Sequence, residues 1–281
     1  MEIKEFNSKH KAIKMPEGKA GEYAKYSCNF YNGCSNGCTY CYLKKGVLAH
    51  TMGGDKPTLK KCFKDEEHAL EIFEKELKAN LPELQKHGLF FTFTSDPFLP
   101  APKVLTDEAV LLAVKNGIPV KLLTKNANVV GYAFDSCFKN YKKLIAIGFT
   151  LTGHDELEPN ASTNAERIET IRKCHEVGFK TWISIEPVID FDSSIKMIEA
   201  TQYFCDLYKV GLESGKKYDK KSLQLFIGYI YTSNEWNGTE FKIYFKDSLL
   251  KVAGINREDL PANCVGRDYN IFENKQFGSA H

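Results

Sequence analysis

Cys34-Ser35-Asn36-Gly37-Cys38-Thr39-Tyr40-Cys41 places three thiols within eight residues. Thiolates are soft ligands that suit iron–sulfur clusters and zinc, and three of them leave a four-coordinate centre one ligand short. A centre short of a ligand can bind something else. A structural zinc site closes with a fourth Cys or His at short spacing, yet the next downstream His, His50, lies nine residues beyond Cys41. Cysteines that merely fill a core would not need Gly33 and Gly37 interleaved to keep the loop tight around a bulky ligand. The pattern therefore points to a [4Fe–4S] cluster whose unique iron is open. A non-catalytic iron–sulfur or zinc protein, using the same triad structurally, is the alternative.

Working outward, residues 1–22 are polar and form an extended lead-in, and residues 23–31 read as a first strand that delivers the chain into the cysteine loop. Residues 43–58, with Gly46, Gly53, Gly54 and Pro57, read as irregular. Over 65–78, Ala69, Leu70, Ile72, Phe73 and Leu77 recur at helical spacing, and 81–87 extend that helix. The apolar run 89–94 is a buried strand that ends at Ser95-Asp96-Pro97. The pattern then predicts a helix over 106–115 with Thr106 as N-cap, a strand over 119–124, a helix over 129–138 and a strand over 144–151. A helix over 163–177 closed by Gly178, a strand over 180–186 stopped by Pro187, a helix over 193–201 and a strand over 206–210 complete the series.

After the first interval the strands recur at about the ~30 residues of a βαβ unit, so a parallel sheet is expected. Six units are too few for a closed eight-stranded barrel. The expected fold is α/β, a partial, curved (βα)6 barrel over residues 23–211. Residues 212–281 break the rhythm and read as a C-terminal extension covering the open side. Within it 223–231 is apolar and 241–252 suits either a strand or a helix.

A chain of 281 residues, 43% of them apolar, can bury a sizeable core. Its formal charge of +2 gives little support to a strong grip on a phosphate backbone. Nine cysteines without an apolar leader, and no span of ~18 apolar residues, predict a reducing cytoplasm and no membrane. Lysine pairs at Lys44-Lys45, Lys60-Lys61, Lys142-Lys143 and Lys216-Lys217 read as solvated faces unless several converge near the cluster mouth.

In parallel α/β folds functional groups collect at the carboxyl ends of the strands. Alternation places Thr92, Thr94 and Asp96 on one face of the second strand, Thr150 and Thr152 on the fourth, and Trp182, Ser184 and Glu186 on the fifth. Polar residues with a common orientation at three strand ends suggest a ligand, since burying them without partners is costly. His154, just after the fourth strand, is a candidate acid or base, although a loop histidine is more often solvated.

The triad Cys34-x3-Cys38-x2-Cys41, with Tyr40 before the last Cys, resembles the radical S-adenosylmethionine (SAM) motif. Its flanks, Tyr31-Asn32-Gly33 and Tyr42-Leu43, resemble the branch that contains spore photoproduct lyase. The resemblance implies a partial barrel, a [4Fe–4S] cluster on Cys34, Cys38 and Cys41, and SAM chelating the fourth iron. It implies reductive cleavage of SAM and abstraction of a hydrogen from a nucleic-acid lesion, a nucleotide-like small molecule or a peptide. It also implies a single-electron donor such as a flavodoxin or ferredoxin, and the expected state is a monomer. SAM contacts then fall on Tyr40, Ser95, Asp96, Lys125, Thr150, Thr152, Ser184 and Glu186. Two departures stand out: the usual Gly-Gly-Glu run after the second strand is absent, and Phe93 stands where the lyases carry a hydrogen-donating cysteine. Among Cys28, Cys62, Cys137, Cys174, Cys205 and Cys264, the one that could fold over the mouth as a substitute donor is Cys264, so it is the candidate catalytic residue.

Overall fold

The computed structural model describes residues 11–127, 138–236, 238–239 and 241–273. Strands β1 (Ile13–Lys14), β2 (Ser27–Cys28), β5 (Leu89–Phe91), β6 (Val120–Thr124), β7 (Ile145–Thr150), β8 (Lys180–Val188), β9 (Leu207–Leu212) and β10 (Lys242–Phe245) form one sheet in that order. From β2 onward every neighbouring pair is parallel, and β1 pairs antiparallel with β2 at the edge. A second, two-stranded sheet joins β3 (Tyr31–Asn32) to β4 (Thr58–Leu59). The helices are α1 (Leu48–Thr51), α2 (Glu66–Ala79), α3 (Leu81–His87), α4 (Pro100–Lys115), α5 (Asn164–Glu176), α6 (Phe191–Glu199), α7 (Lys220–Trp236) and α8 (Asp247–Ala253).

The α/β reading of a partial parallel barrel holds, and the differences are local. The first strand shrinks to two residues because Tyr31 and Asn32 leave the main sheet to pair with Leu59 and Thr58. The fifth predicted strand does not stop at Pro187: it continues to Val188, which pairs with Leu212 after a register shift that accommodates the missing N–H. Helix α4 starts at Pro100, where proline fits the first turn, and Thr106 is buried in mid-helix instead of capping it. The expected helix over 129–138 falls almost wholly outside the described residues.

The extension contributes more than a cover. Residues 241–252 are both strand and helix: β10 adds a seventh parallel strand beside β9, with Ile243, Tyr244 and Phe245 buried, and α8 follows directly. Helix starts are chemically explicit. Asp65 and Asp190 cap α2 and α6 by accepting from His68 and Ser193 N–H, and Thr163 with Glu166 forms a capping box on α5.

The sheet has two packed faces. Outside, Phe73, Phe91, Ile147, Ile183, Val210 and Phe245 belong to a large core shared with the helices. On the inner face a smaller cluster gathers Tyr23, Phe90, Ala146, Trp182, Leu207 and Tyr244. Trp182 fits because its neighbour on β7 is Gly148, where a Cβ would lie 2.2 Å from the indole.

Charges also enter this inner face. Lys209 Nζ donates to the carbonyls of Glu22 (2.7 Å) and Tyr23 (3.2 Å), and Lys121 Nζ donates to Tyr23 O (3.0 Å). Glu22 Oε1 accepts from Tyr244 OH (3.1 Å) and Asp247 N (2.8 Å). The chain at Glu22 and Tyr23 is thus clamped inside the barrel. Burial pushes the Lys121 ammonium down to about 8, and burial together with the charges of Lys121 and Lys246 depresses Lys209 well below its usual range.

Replacing Gly148 by Ala forces Trp182 out of its slot. Urea unfolding of Gly148→Ala should show a loss of about 1–3 kcal/mol with an unchanged slope.

Candidate active site

The carboxyl ends of β5 to β10 open into a cavity of about 350 Å³. Cys34, Cys38 and Cys41 form one wall, Ser95, Asp96, Lys125, Thr150, Ser184 and Glu186 line the strand ends, and Lys19, Lys45, Glu213 and Ser214 lie along the wall as well. Several residues singled out in the sequence do not line the cavity. Thr94 turns away and donates to Tyr31 O, because β5 has ended at Phe91 and alternation no longer applies. Thr152 is fully buried against α5, its N–H on Asn164 Oδ1 at 3.1 Å, and does not line the cavity. Cys264 does not line it either. Its backbone bridges Ile243 on the outer edge of β10, with Val265 N donating to Ile243 O at 2.7 Å, which holds the thiol away from the mouth.

The cysteine loop is shaped by backbone contacts. Gly33 and Gly37 have φ of 85° and 72°, and a Cβ on Gly33 would meet Lys56 O at 2.4 Å. Cys34 N donates to Gly54 O (3.0 Å) and Thr39 N to Leu157 O (3.0 Å). Burial, reinforced by the Asp96 charge, pushes the free Cys34 thiol up to about 12.

Asp96 lines the cavity, but its carboxylate is fully engaged by the protein. Oδ1 accepts from Phe98 N (3.0 Å) and Thr124 Oγ1 (2.7 Å); Oδ2 accepts from Asn36 Nδ2 (2.9 Å) and Lys125 N (2.8 Å). It ties the cysteine loop to the ends of two strands, which makes it a positioning residue and not a free ligand. Ser95 is its opposite: the Oγ is buried and has no protein partner. Such a group in a cavity wall calls for a bound molecule.

On the far wall, Ser184 Oγ lies 2.8 Å from Tyr23 OH, which also donates to Glu186. Glu186 is held by Lys246 Nζ at 2.9 and 3.0 Å, and Gly211 leaves room for the pair, since a Cβ there would lie 2.7 Å from both side chains. Tyr40 OH donates to Glu158, whose other oxygen is 2.6 Å from the guanidinium of fully buried Arg167. Lys125 Nζ is 4.0 Å from Glu158 and stands over the Tyr40 ring at 5.7 Å. Burial works against its charge, but Cys38 and Glu158 outweigh it and raise the ammonium.

Tyr23, Lys246, Asn36 and the Glu158–Arg167 pair were not legible as site residues. Lys121 and Lys209, charged and central in apolar strands, were the available signal that the barrel interior is polar. Phe93 stacks on Phe90 (centroids 4.4 Å apart) and meets Tyr23 edge-on. Apart from the triad, no cysteine among the described residues lines the cavity, and Cys137 falls outside those residues. His154 also points elsewhere, bonded to Glu156 (2.7 Å) and Asp190 (2.5 Å).

A parallel α/β sheet with a three-cysteine loop over its carboxyl edge defines a class in which a cluster and an organic cofactor share one cavity. Residues 28–202 match the radical SAM superfamily, and the chain belongs to it. Members of this family use a [4Fe–4S] cluster and SAM. The uncharacterized protein MJ0683 of Methanocaldococcus jannaschii is 25% identical over 197 residues, covering 66% of this chain and 69% of that protein. Among solved structures, a spore photoproduct lyase mutant with bound AdoMet and dinucleoside spore photoproduct superposes with a TM-score of 0.55. The match is 14% identical and covers 79% of this chain and 64% of that one. Streptococcus suis SuiB bound to S-adenosylmethionine gives 0.57 at 14% identity, covering 79% of this chain and 50% of that one. The chain thus spans less than two thirds of either enzyme, and both likenesses are of fold. No described helix is long and apolar enough to cross a membrane.

Two outcomes follow from this geometry. Asp96→Ala leaves four donors unsatisfied and should cost about 3 kcal/mol or more in thermal unfolding. His154 is partly desolvated, which lowers its pKa, but bonds to Asp190 and Glu156 win and raise it. Its contribution to stability is complete below the unfolded value and disappears as pH rises through the higher folded value. NMR titration should place the His154 midpoint above about 6.5.

Proposed function

We propose that Cys34, Cys38 and Cys41 hold the [4Fe–4S] cluster and that SAM lies across the cavity toward Ser95, Thr150 and Ser184. The observation that carries this reading is that three cysteines and Ser95, whose buried hydroxyl has no protein partner, line one cavity at the carboxyl ends of parallel strands. The residues fit the pair of cofactors. Three thiols with no fourth Cys or His at short spacing suit a cluster with an open iron better than a closed zinc site. Bound there, the cluster and SAM would supply one-electron reductive cleavage of the sulfonium, with methionine released, and the hydrogen-abstracting radical chemistry that follows.

The chain's own groups bind and orient. Ser95 Oγ donates to the cofactor, Lys125 provides positive charge beside the cysteine loop, and the Tyr40 backbone borders the adenine. Asp96 fixes the two loops between which the reacting groups meet, so its part in the reaction is positioning. Ser184 and Glu186, held by Tyr23 and Lys246, line the cavity wall that would support the adenosine. Apolar lining from Leu43, Phe90, Phe93 and Leu123 excludes water from a reactive intermediate.

The substrate reading we favour is a nucleotide-like small molecule. Tyr42 and Phe93 offer ring faces, and Lys19 and Lys45 positive charge, around a cavity of small-molecule size. Lyase chemistry that returns a hydrogen through a protein thiol is less well supported, since Phe93 occupies the donor position.

Anaerobic reconstitution with iron and sulfide should give a brown protein that releases 5′-deoxyadenosine with dithionite and SAM. Cys34→Ala, Cys38→Ala and Cys41→Ala should each lose the cluster absorbance. Ser95→Ala should keep it and weaken SAM binding about threefold to tenfold, the worth of one hydrogen bond. An intact cluster that yields no 5′-deoxyadenosine would sink the reading. Deuterium transferred from a labelled candidate into 5′-deoxyadenosine identifies the substrate.

A further inference from the structure

The cysteine triad is approached from two directions. Besides the main cavity, a second depression of about 20 Å³ lies between Cys34, Cys38 and Cys41 and the backbone at Gly53 and Gly54, with Lys44 beside it. Glycine backbone makes up part of this wall. A Cβ on Gly33 would meet Lys56 O and Gly54 O at 2.4 and 2.8 Å, and one on Gly53 would meet Leu43 O at 2.5 Å. Backbone therefore packs directly on the loop that carries the thiols.

This wall belongs to the excursion from residue 42 to 61, whose composition differs from the rest of the chain. It carries Lys44, Lys45, Lys56, Lys60 and Lys61 against one acid, Asp55, whereas the remainder has acids in slight excess. Asp55 is spent on Lys44 at 2.5 Å, and Lys45 is 3.6 Å from Glu213. A local positive charge therefore remains on a nearly neutral protein. At its centre Val47 is 81% exposed and Leu48 is exposed beside it. An exposed apolar pair on a lysine-rich segment whose Lys44, Gly53 and Gly54 border the triad has the anatomy of a small transient interface.

We infer that this excursion is the docking surface for the electron donor, an acidic single-electron carrier protein such as a flavodoxin. The inference rests on the cluster assignment above. On docking, one electron leaves the carrier and enters the cluster, so the carrier is oxidised by one equivalent and the cluster reduced by one. The lysines steer the encounter, and Val47 and Leu48 supply the contact.

The test uses the reconstituted protein and a photoreduced flavodoxin. Stopped-flow bleaching of the cluster and its EPR signal report reduction, and fluorescence titration with oxidised flavodoxin reports binding without turnover. Lys44→Glu with Lys56→Glu should slow reduction and weaken binding by about tenfold or more at low salt, and high salt should erase the difference. Val47→Asp should weaken binding at every salt concentration. Dithionite should reduce all variants at the wild-type rate, and Lys115→Glu with Lys221→Glu, elsewhere on the surface, should behave as wild type.

A flavodoxin rate unaffected by the patch substitutions or by salt overturns the proposal while leaving the cluster assignment standing. So does a patch that loses affinity for duplex DNA on substitution but never binds the carrier. A chain that assembles no reducible cluster overturns both.

Discussion

The Asp96 carboxylate is the constraint on which the site depends. Four donors from three segments converge on its two oxygens: the Asn36 amide from the cysteine loop, Thr124 and Lys125 from the end of β6, and the Phe98 amide from its own loop. A buried carboxylate is tolerated only when its lone pairs are filled, and here filling them fixes the relative positions of the cysteine loop and the strand ends that line the cavity. The same acid could not do this and also serve as a free cofactor ligand. Its neighbour Ser95, by contrast, keeps a buried hydroxyl with no protein partner.

A second constraint acts from the opposite wall. Glu158, pinned by Arg167, takes the Tyr40 hydroxyl and thereby sets the far end of the cysteine loop, with Lys125 close to both. Arg167 also donates to Thr150 O at 2.8 Å, so a residue on helix α5 reaches through the sheet edge to the cavity strand. Loop, helix and strand are thus joined by charge-assisted bonds in a dry environment, where each is stronger than at the surface.

The sequence carried the fold through its rhythm and the site through one motif. Strands 120–124, 145–150 and 207–212 were visible as apolar runs at βα spacing, and the triad announced its own chemistry. Alternation placed Thr150 and Ser184 on the cavity side, where both are still ladder-paired, and Glu186 lines the cavity too although it falls where the β8 register shifts. Alternation failed at Thr94 and Thr152, which lie beyond the last paired residue of their strands, where side-chain direction follows loop hydrogen bonds. Cys264 was misplaced for a related reason: nothing local says that its neighbours pair with β10. Tyr23 and Lys246 become part of the site only through tertiary contact, between segments more than two hundred residues apart.

That separation has a consequence for how the molecule is made. Glu22 accepts hydrogen bonds from Tyr244 and Asp247, at sequence distances of 222 and 225 residues, and Lys209 reaches the carbonyls beside it. As the chain leaves the ribosome, its lead-in has none of these partners until most of the remainder has emerged. The helices and the strand pairs from β5 to β8 can form by nearby contacts, whereas the barrel interior must wait for a loop closure of more than two hundred residues. Closing the catalytic chamber is therefore a late step of folding, and the apolar inner face around Trp182 is what a nascent chain exposes in the meantime.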